Sequence, residues 1–159
     1  MDANEKNLAH VAELMAKAKA AGLEGLGWLE SLGVKRCCEG YNGIGPEFLP
    51  VAVRDKVTDW LGLFEPAALV HDMRNDVADG TWTGFLHANK EFRANCLKLA
   101  DAAYPWYSWR RYRARAVAVA LFEFVSAENF GWRAWLEAHE RYLARKNNLA
   151  TKDTKDTEP

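Results

Sequence analysis

Between Thr81 and Pro105 the residues Phe85, Asn89, Phe92, Cys96, Leu99 and Ala103 follow one another at spacings of four, three, four, three and four. That period winds all of them onto one stripe of an α-helix, and it is incompatible with a strand, whose faces alternate every second residue. Thr81 can cap such a helix and Pro105 ends it. Shorter stripes of the same kind recur. Residues 5–20 place Leu8, Val11, Ala12 and Met15 on one side, with Glu5, Glu13, Lys17 and Lys19 distributed on the other. Leu23, Leu26, Trp28, Leu29 and Leu32 sit among glycines, so a short or broken second helix is expected before Gly33 stops it. Val53, Val57, Trp60 and Leu61 form another stripe. Pro66 suits the first turn of a helix running to about Ala78. Residues 106–129 and 132–146 supply two more helices, separated at Gly131, with Trp132, Trp135, Leu136, His139 and Leu143 on one side of the last. Residues 147–159 are polar and read as a solvated tail.

No useful period-2 alternation and no Gly-Lys-Ser/Thr phosphate loop is present. The expected fold is therefore all-α, a compact helical domain over residues 1–146. Its one conspicuous irregularity is the stretch from Cys37 to Pro46, where Gly40, Gly43, Gly45 and Pro46 argue against regular structure. This glycine-rich loop precedes a pair of helices whose short connection around Gly80 makes them antiparallel neighbours.

At 159 residues and 49% apolar composition the chain can bury a core without disulfides or a structural metal. Its three cysteines are an odd number, with Cys37 and Cys38 adjacent. Free thiols in a reducing cytosol and a bridge from Cys96 to Cys37 or Cys38 are both open. The amino terminus is acidic where a signal peptide would be basic, and the longest apolar stretch, residues 116–125, is interrupted by Glu123. A membrane span needs about twenty apolar residues, so neither a signal peptide nor a transmembrane segment is expected.

Three features carry candidate chemistry. Closely spaced glycines in the loop let main-chain carbonyls of Tyr41, Gly43 and Gly45 turn toward one point, as a calcium ion requires, although such loops also serve as plain connections. His71-Asp72 lies on the helix after Pro66, where Ala67, Ala68, Asn75 and Ala78 leave room beside the imidazole; a histidine so placed is either a catalyst or an ordinary satisfied side chain. Asn89 is the polar member of an otherwise apolar stripe, and a polar group on a buried face needs a specific partner. That partner is either His71 across the antiparallel pair or a backbone carbonyl.

Together these features resemble the phospholipase A2 superfamily, most closely the compact phospholipase A2-like proteins of phages and parvovirus capsids. Tyr41-Asn42-Gly43-Ile44-Gly45-Pro46 is similar to the family's Tyr-x-Gly-x-Gly calcium loop. Phe48-Leu49-Pro50 follows as in the phage group, Pro66-Ala67-Ala68-Leu69-Val70-His71-Asp72 resembles the helix bearing the His-Asp pair, and Ala88-Asn89-Lys90-Glu91-Phe92 stands where the family has Ala-Asp-x-x-Phe. The resemblance covers residues 38–101, leaving residues 1–33 as an amino-terminal helical extension and 105–146 as carboxy-terminal helices. It implies a calcium-dependent ester hydrolase with His71 as general base, and Asp72 with the carbonyls of Tyr41, Gly43 and Gly45 as calcium ligands. It also implies a phospholipid membrane surface and phage virion proteins as partners, and a location in the producing cell's cytoplasm or in the virion. Asn89 stands where the family has Asp, and Asn75 where it commonly has Tyr, which implies impaired catalysis or, alternatively, a non-catalytic virion or host-interaction protein that keeps the fold.

Residues 104–115 combine five aromatic rings with four arginines. Trp106, Trp109, Arg110, Arg111 and Arg113 suit a lipid headgroup boundary, single-stranded nucleic acid or a protein partner, or else a helix with its rings packed inward. The even charge balance, 21 basic against 22 acidic side chains, disfavours a general nucleic-acid binder. It conceals a polarity: residues 1–104 carry 11 basic and 15 acidic side chains, and residues 105–146 carry 8 and 4.

Overall fold

A computed structural model describes residues 3–41 and 61–155 of the chain, and these residues form six α-helices and no strand. The helices are α1 (Ala3–Ala20), α2 (Leu26–Gly40), α3 (Glu65–Asp76), α4 (Trp82–Ala103), α5 (Trp109–Ser126) and α6 (Arg133–Lys155). A 3₁₀ turn, Gly62–Phe64, leads into α3, and a wide π-type turn, Glu128–Trp132, joins α5 to α6. The stripe from Val53 to Trp60 lies outside the described residues.

The boundaries follow local chemistry. Thr81 caps α4 by accepting from the Gly84 N–H at 3.0 Å, and Asp79 steadies the cap by accepting from the Thr81 N–H at 2.8 Å. Ser108 caps α5, accepting from the Arg110 N–H at 3.3 Å. Gly33 adopts φ 77°, ψ 156° and kinks α2 without ending it. The helix then continues through Cys37 and Cys38 to Gly40, so the loop begins at Tyr41, four residues later than the glycine count suggested. Tertiary packing outweighs propensity here: Gly40 lies against the Met73 thioether, where a Cβ would not fit. At the other end, α6 runs to Lys155, into the segment read from sequence as a tail. Residues 147–155 contain neither Gly nor Pro to stop it.

Helix α3 is the centre of the fold, touching α1, α2, α4 and α6. Its Pro66, Ala67, Ala68, Leu69, Val70 and Met73 are buried. Leu69, Val70 and Met73 pack with Val11 and Leu14 of α1 and Leu29 and Cys37 of α2. Ala67 and Ala68, near the start of α3, share a second cluster with Phe92, Cys96 and Leu99, while Ala78 beyond its end meets Phe85 and Ala88. The order reverses from one helix to the other, so α3 and α4 are antiparallel. Trp135 and Ala138 of α6 close the third cluster, whereas Leu136 and Leu143 remain exposed.

Cys37 and Cys96 are buried in different clusters and all three thiols are free, which removes the bridge to Cys96. Among the described residues no helix is long and apolar enough to cross a membrane.

Candidate active site around His71

The antiparallel pair brings His71 of α3 against Asn89 of α4. His71 Nε2 lies 2.9 Å from Asn89 Oδ1. Asn89 is 1% exposed, and its Nδ2 donates to the Val125 carbonyl of α5 at 3.5 Å. With the amide nitrogen directed to that carbonyl, Oδ1 faces the imidazole and accepts a hydrogen bond from Nε2–H. The neutral ring then carries its lone pair on Nδ1, which receives the Asn75 side-chain amide at 3.4 Å. Phe92 backs the ring at 4.8 Å between centroids. Gly131 closes the support from behind, because its backbone presses on the Val125 carbonyl and leaves no room for a side chain.

Both expected partners of Asn89 are therefore real: one end of its amide holds the histidine and the other a backbone carbonyl. Burial holds the His71 imidazole below its ordinary value, opposed by the Asn89 hydrogen bond and the charge of Glu91. A half-buried histidine of this kind is a neutral base near pH 7.

Tyr41, where the chain leaves α2, stands close to the beginning of α3. Its hydroxyl donates to Glu65 Oε1 at 3.0 Å, and His10 Nε2 meets the same oxygen at 3.2 Å. Burial first, then the negative charges of Glu65 and Asp72, push the Tyr41 hydroxyl well above the usual phenol value. Asp72 therefore lies within electrostatic reach of the point where the loop departs. Gly43 and Gly45 lie outside the described residues. Among the described residues no three His, Cys, Asp or Glu side chains converge on one point.

Several supporting residues escaped sequence reasoning. Glu91, 7% exposed, receives a two-pronged pair from Arg74, with Nε at 3.0 Å and Nη2 at 2.9 Å, while the Arg74 guanidinium lies 4.2 Å from the centre of the Trp28 ring. Asn95 clamps the turn between α1 and α2, accepting from the Glu24 N–H at 2.7 Å and donating to its carbonyl at 3.1 Å. Neither Glu91 nor Arg74 breaks an apolar stripe, so neither advertises burial. Asn75 was visible as a small polar neighbour of His71, four residues on, but its bond to Nδ1 depends on the ring's tautomer.

The aromatic and basic segment divides. Arg111 Nε donates to Asp101 at 2.7 Å and Arg115 Nη1 reaches both oxygens of the same carboxylate, so Arg111 belongs to an ion pair between α4 and α5. Trp106 and Trp109 are 74% and 64% exposed, which rules out the inward-packed reading for them. Arg110 and Arg113 line a groove beside Trp109.

Comparison of the chain with protein-family models, curated proteins and solved structures finds no match.

Proposed function

We propose that this chain is a phospholipase A2-like hydrolase of phage or prophage type that cleaves a glycerophospholipid ester, with His71 as its general base. The observation that carries the reading is the 2.9 Å contact between His71 Nε2 and Asn89 Oδ1, which leaves Nδ1 as the proton acceptor. His71, Asp72 and Asn89 follow one another in the order that the resemblance implies, and the contact of Asn89 with the ring supports the reading.

In this reading Asn75 yields Nδ1 to a water molecule. Nδ1 takes one proton as the water oxygen attacks the ester carbonyl, and returns it to the departing glycerol oxygen when the C–O bond breaks, giving a fatty acid and a lysophospholipid. Phe92 and Asn89 hold the ring in place throughout. Glu65, which accepts from the Tyr41 hydroxyl, and Asp72, within electrostatic reach of that hydroxyl, make the start of the loop acidic. Asp72 and the carbonyls of Tyr41, Gly43 and Gly45 would hold calcium, which supplies polarisation of the ester carbonyl when bound.

Asn89 positions the imidazole but contributes no negative charge to the imidazolium. A carboxylate in this role also stabilises the imidazolium that forms during the reaction, and without it a slow enzyme is expected. The pair of amides on the two ring nitrogens favours a second reading, a non-catalytic virion or host-interaction protein retaining the fold. Release of free fatty acid from mixed phospholipid vesicles, in calcium and in chelator, separates the two. The hydrolase reading expects slow calcium-dependent release that His71→Ala abolishes; release indifferent to calcium or to His71, or none, sinks it.

A further inference from the structure

Trp106 and Tyr107 pack edge to face, 5.7 Å between centroids, and both are more than two-thirds exposed, Tyr107 at 71%. They immediately precede the Ser108 cap, and Trp109, Tyr112 and Arg113 continue the patch at the three- and four-residue spacings of one helical face. Beside them lies a groove of about 380 Å³. Leu61, Leu63, Phe64 and Val117 give it apolar walls, and Trp109, Arg110 and Arg113 line it as well.

Among the described residues no packing contact accounts for the charge of this corner. Cations at a helix N-terminus add to the positive end of the helix dipole, an unfavourable placement. Asp101 neutralises Arg111 and Arg115, yet among the described residues no carboxylate pairs with Arg110 or Arg113. Arg113 instead rests 5.9 Å from the centre of the Trp109 ring. The result is an anion-seeking corner whose rings stay in water. Amphipathic rings beside guanidiniums and an apolar groove match the boundary between phosphate headgroups and acyl chains. Single-stranded nucleic acid fits less well, since two uncommitted guanidiniums offer few phosphate contacts and bases have no use for an aliphatic groove.

We propose that this corner, Trp106, Tyr107, Trp109 and Tyr112 with Arg110 and Arg113, docks the protein onto an anionic phospholipid bilayer. The rings lie at headgroup level, the guanidiniums meet lipid phosphates, and the groove accepts apolar lipid. The proposal concerns docking alone and holds whether or not His71 is catalytic.

The test is co-sedimentation of the full chain with vesicles of phosphatidylcholine alone or mixed with phosphatidylglycerol, in chelator so that no calcium-dependent hydrolysis intervenes, and repeated with His71→Ala. Binding is expected only to the anionic vesicles, to weaken with salt, and to be the same for His71→Ala. Arg110→Gln with Arg113→Gln should weaken it about thirtyfold, and Trp106→Ala with Trp109→Ala by at least about tenfold. All four side chains are exposed, so the thermal unfolding of both variants should match that of the native chain. Arg133→Gln, an exposed α6 position, should bind normally. Equal binding to neutral vesicles, no binding, native-like binding by both double variants, or an equal loss in Arg133→Gln overturns the proposal. So does capture of a single-stranded oligonucleotide through these residues without vesicle binding.

Discussion

Replacing Asn89 by Asp changes one atom of the site and tests its electrostatics directly. Asn89 Oδ1 lies 2.9 Å from His71 Nε2, so a carboxylate there would put its charge about 4 Å from that of an imidazolium. At an effective dielectric constant near 20, the attraction is about 4 kcal/mol. Two effects oppose it. The position is 1% exposed, so burial lifts the new carboxyl's own pKa, and the 3.5 Å bond to the Val125 carbonyl becomes a contact between two acceptors. If half the attraction survives, about 2 kcal/mol, the rate rises about thirtyfold. The lost bond and the unmatched carbonyl should destabilise the fold by about 1–3 kcal/mol. Titration of the His71 ring by nuclear magnetic resonance reads the same electrostatics without needing turnover. In the native chain His71 should titrate below the ordinary imidazole range, and in Asn89→Asp it should move upward while fatty-acid release accelerates. A folded Asn89→Asp protein with unchanged His71 titration and unchanged rate would refute the assignment of Asn89 as the residue that holds the ring.

Asn75→Ala removes the amide that covers Nδ1 at 3.4 Å, and so should raise the rate severalfold with little change in thermal stability; a fall in rate would make Asn75 a required positioning group. Arg74→Ala strands the buried Glu91 carboxylate and should cost about 3 kcal/mol in chemical denaturation, most of it recovered when Glu91→Leu is added; a double variant whose loss is the sum of the two single losses would contradict this pairing. Because the folded pKa of His71 is depressed, the unfolded chain binds the extra proton. Its contribution to stability is intact above the unfolded value of about 6.5 and is lost as pH falls from there through the folded value. His71→Phe should flatten that part of the curve of stability against pH, and an unchanged slope would show that His71 is not buried as a neutral base.

The antiparallel pair and its central contact were legible because two strong constraints met there. A four-three stripe admits only a helix, and one amide within an apolar stripe must find a partner, which left His71 or a backbone carbonyl; Asn89 uses both. The cap at Thr81 and the break near Gly131 were equally local matters, whereas the helix expected from residue 106 starts at Trp109, behind a Ser108 cap. What failed to show in sequence depends on the packing of distant elements. Gly40 looks like a helix breaker until Met73 is placed against it. Nothing in the run of arginines marks Arg111 and Arg115 as the two that meet Asp101, since that choice is set by how α5 turns back after Pro105. The burial of Glu91 is invisible for the same reason: its partner Arg74 and the Trp28 ring come from other helices.

The most direct measurement of the central claim is release of labelled fatty acid from phospholipid vesicles by the native chain, His71→Ala and Asn89→Asp, each with calcium and with chelator. Slow release that requires both calcium and His71, and that Asn89→Asp accelerates, is expected. Release that persists in His71→Ala, or no release from either the native chain or Asn89→Asp in calcium, would contradict it.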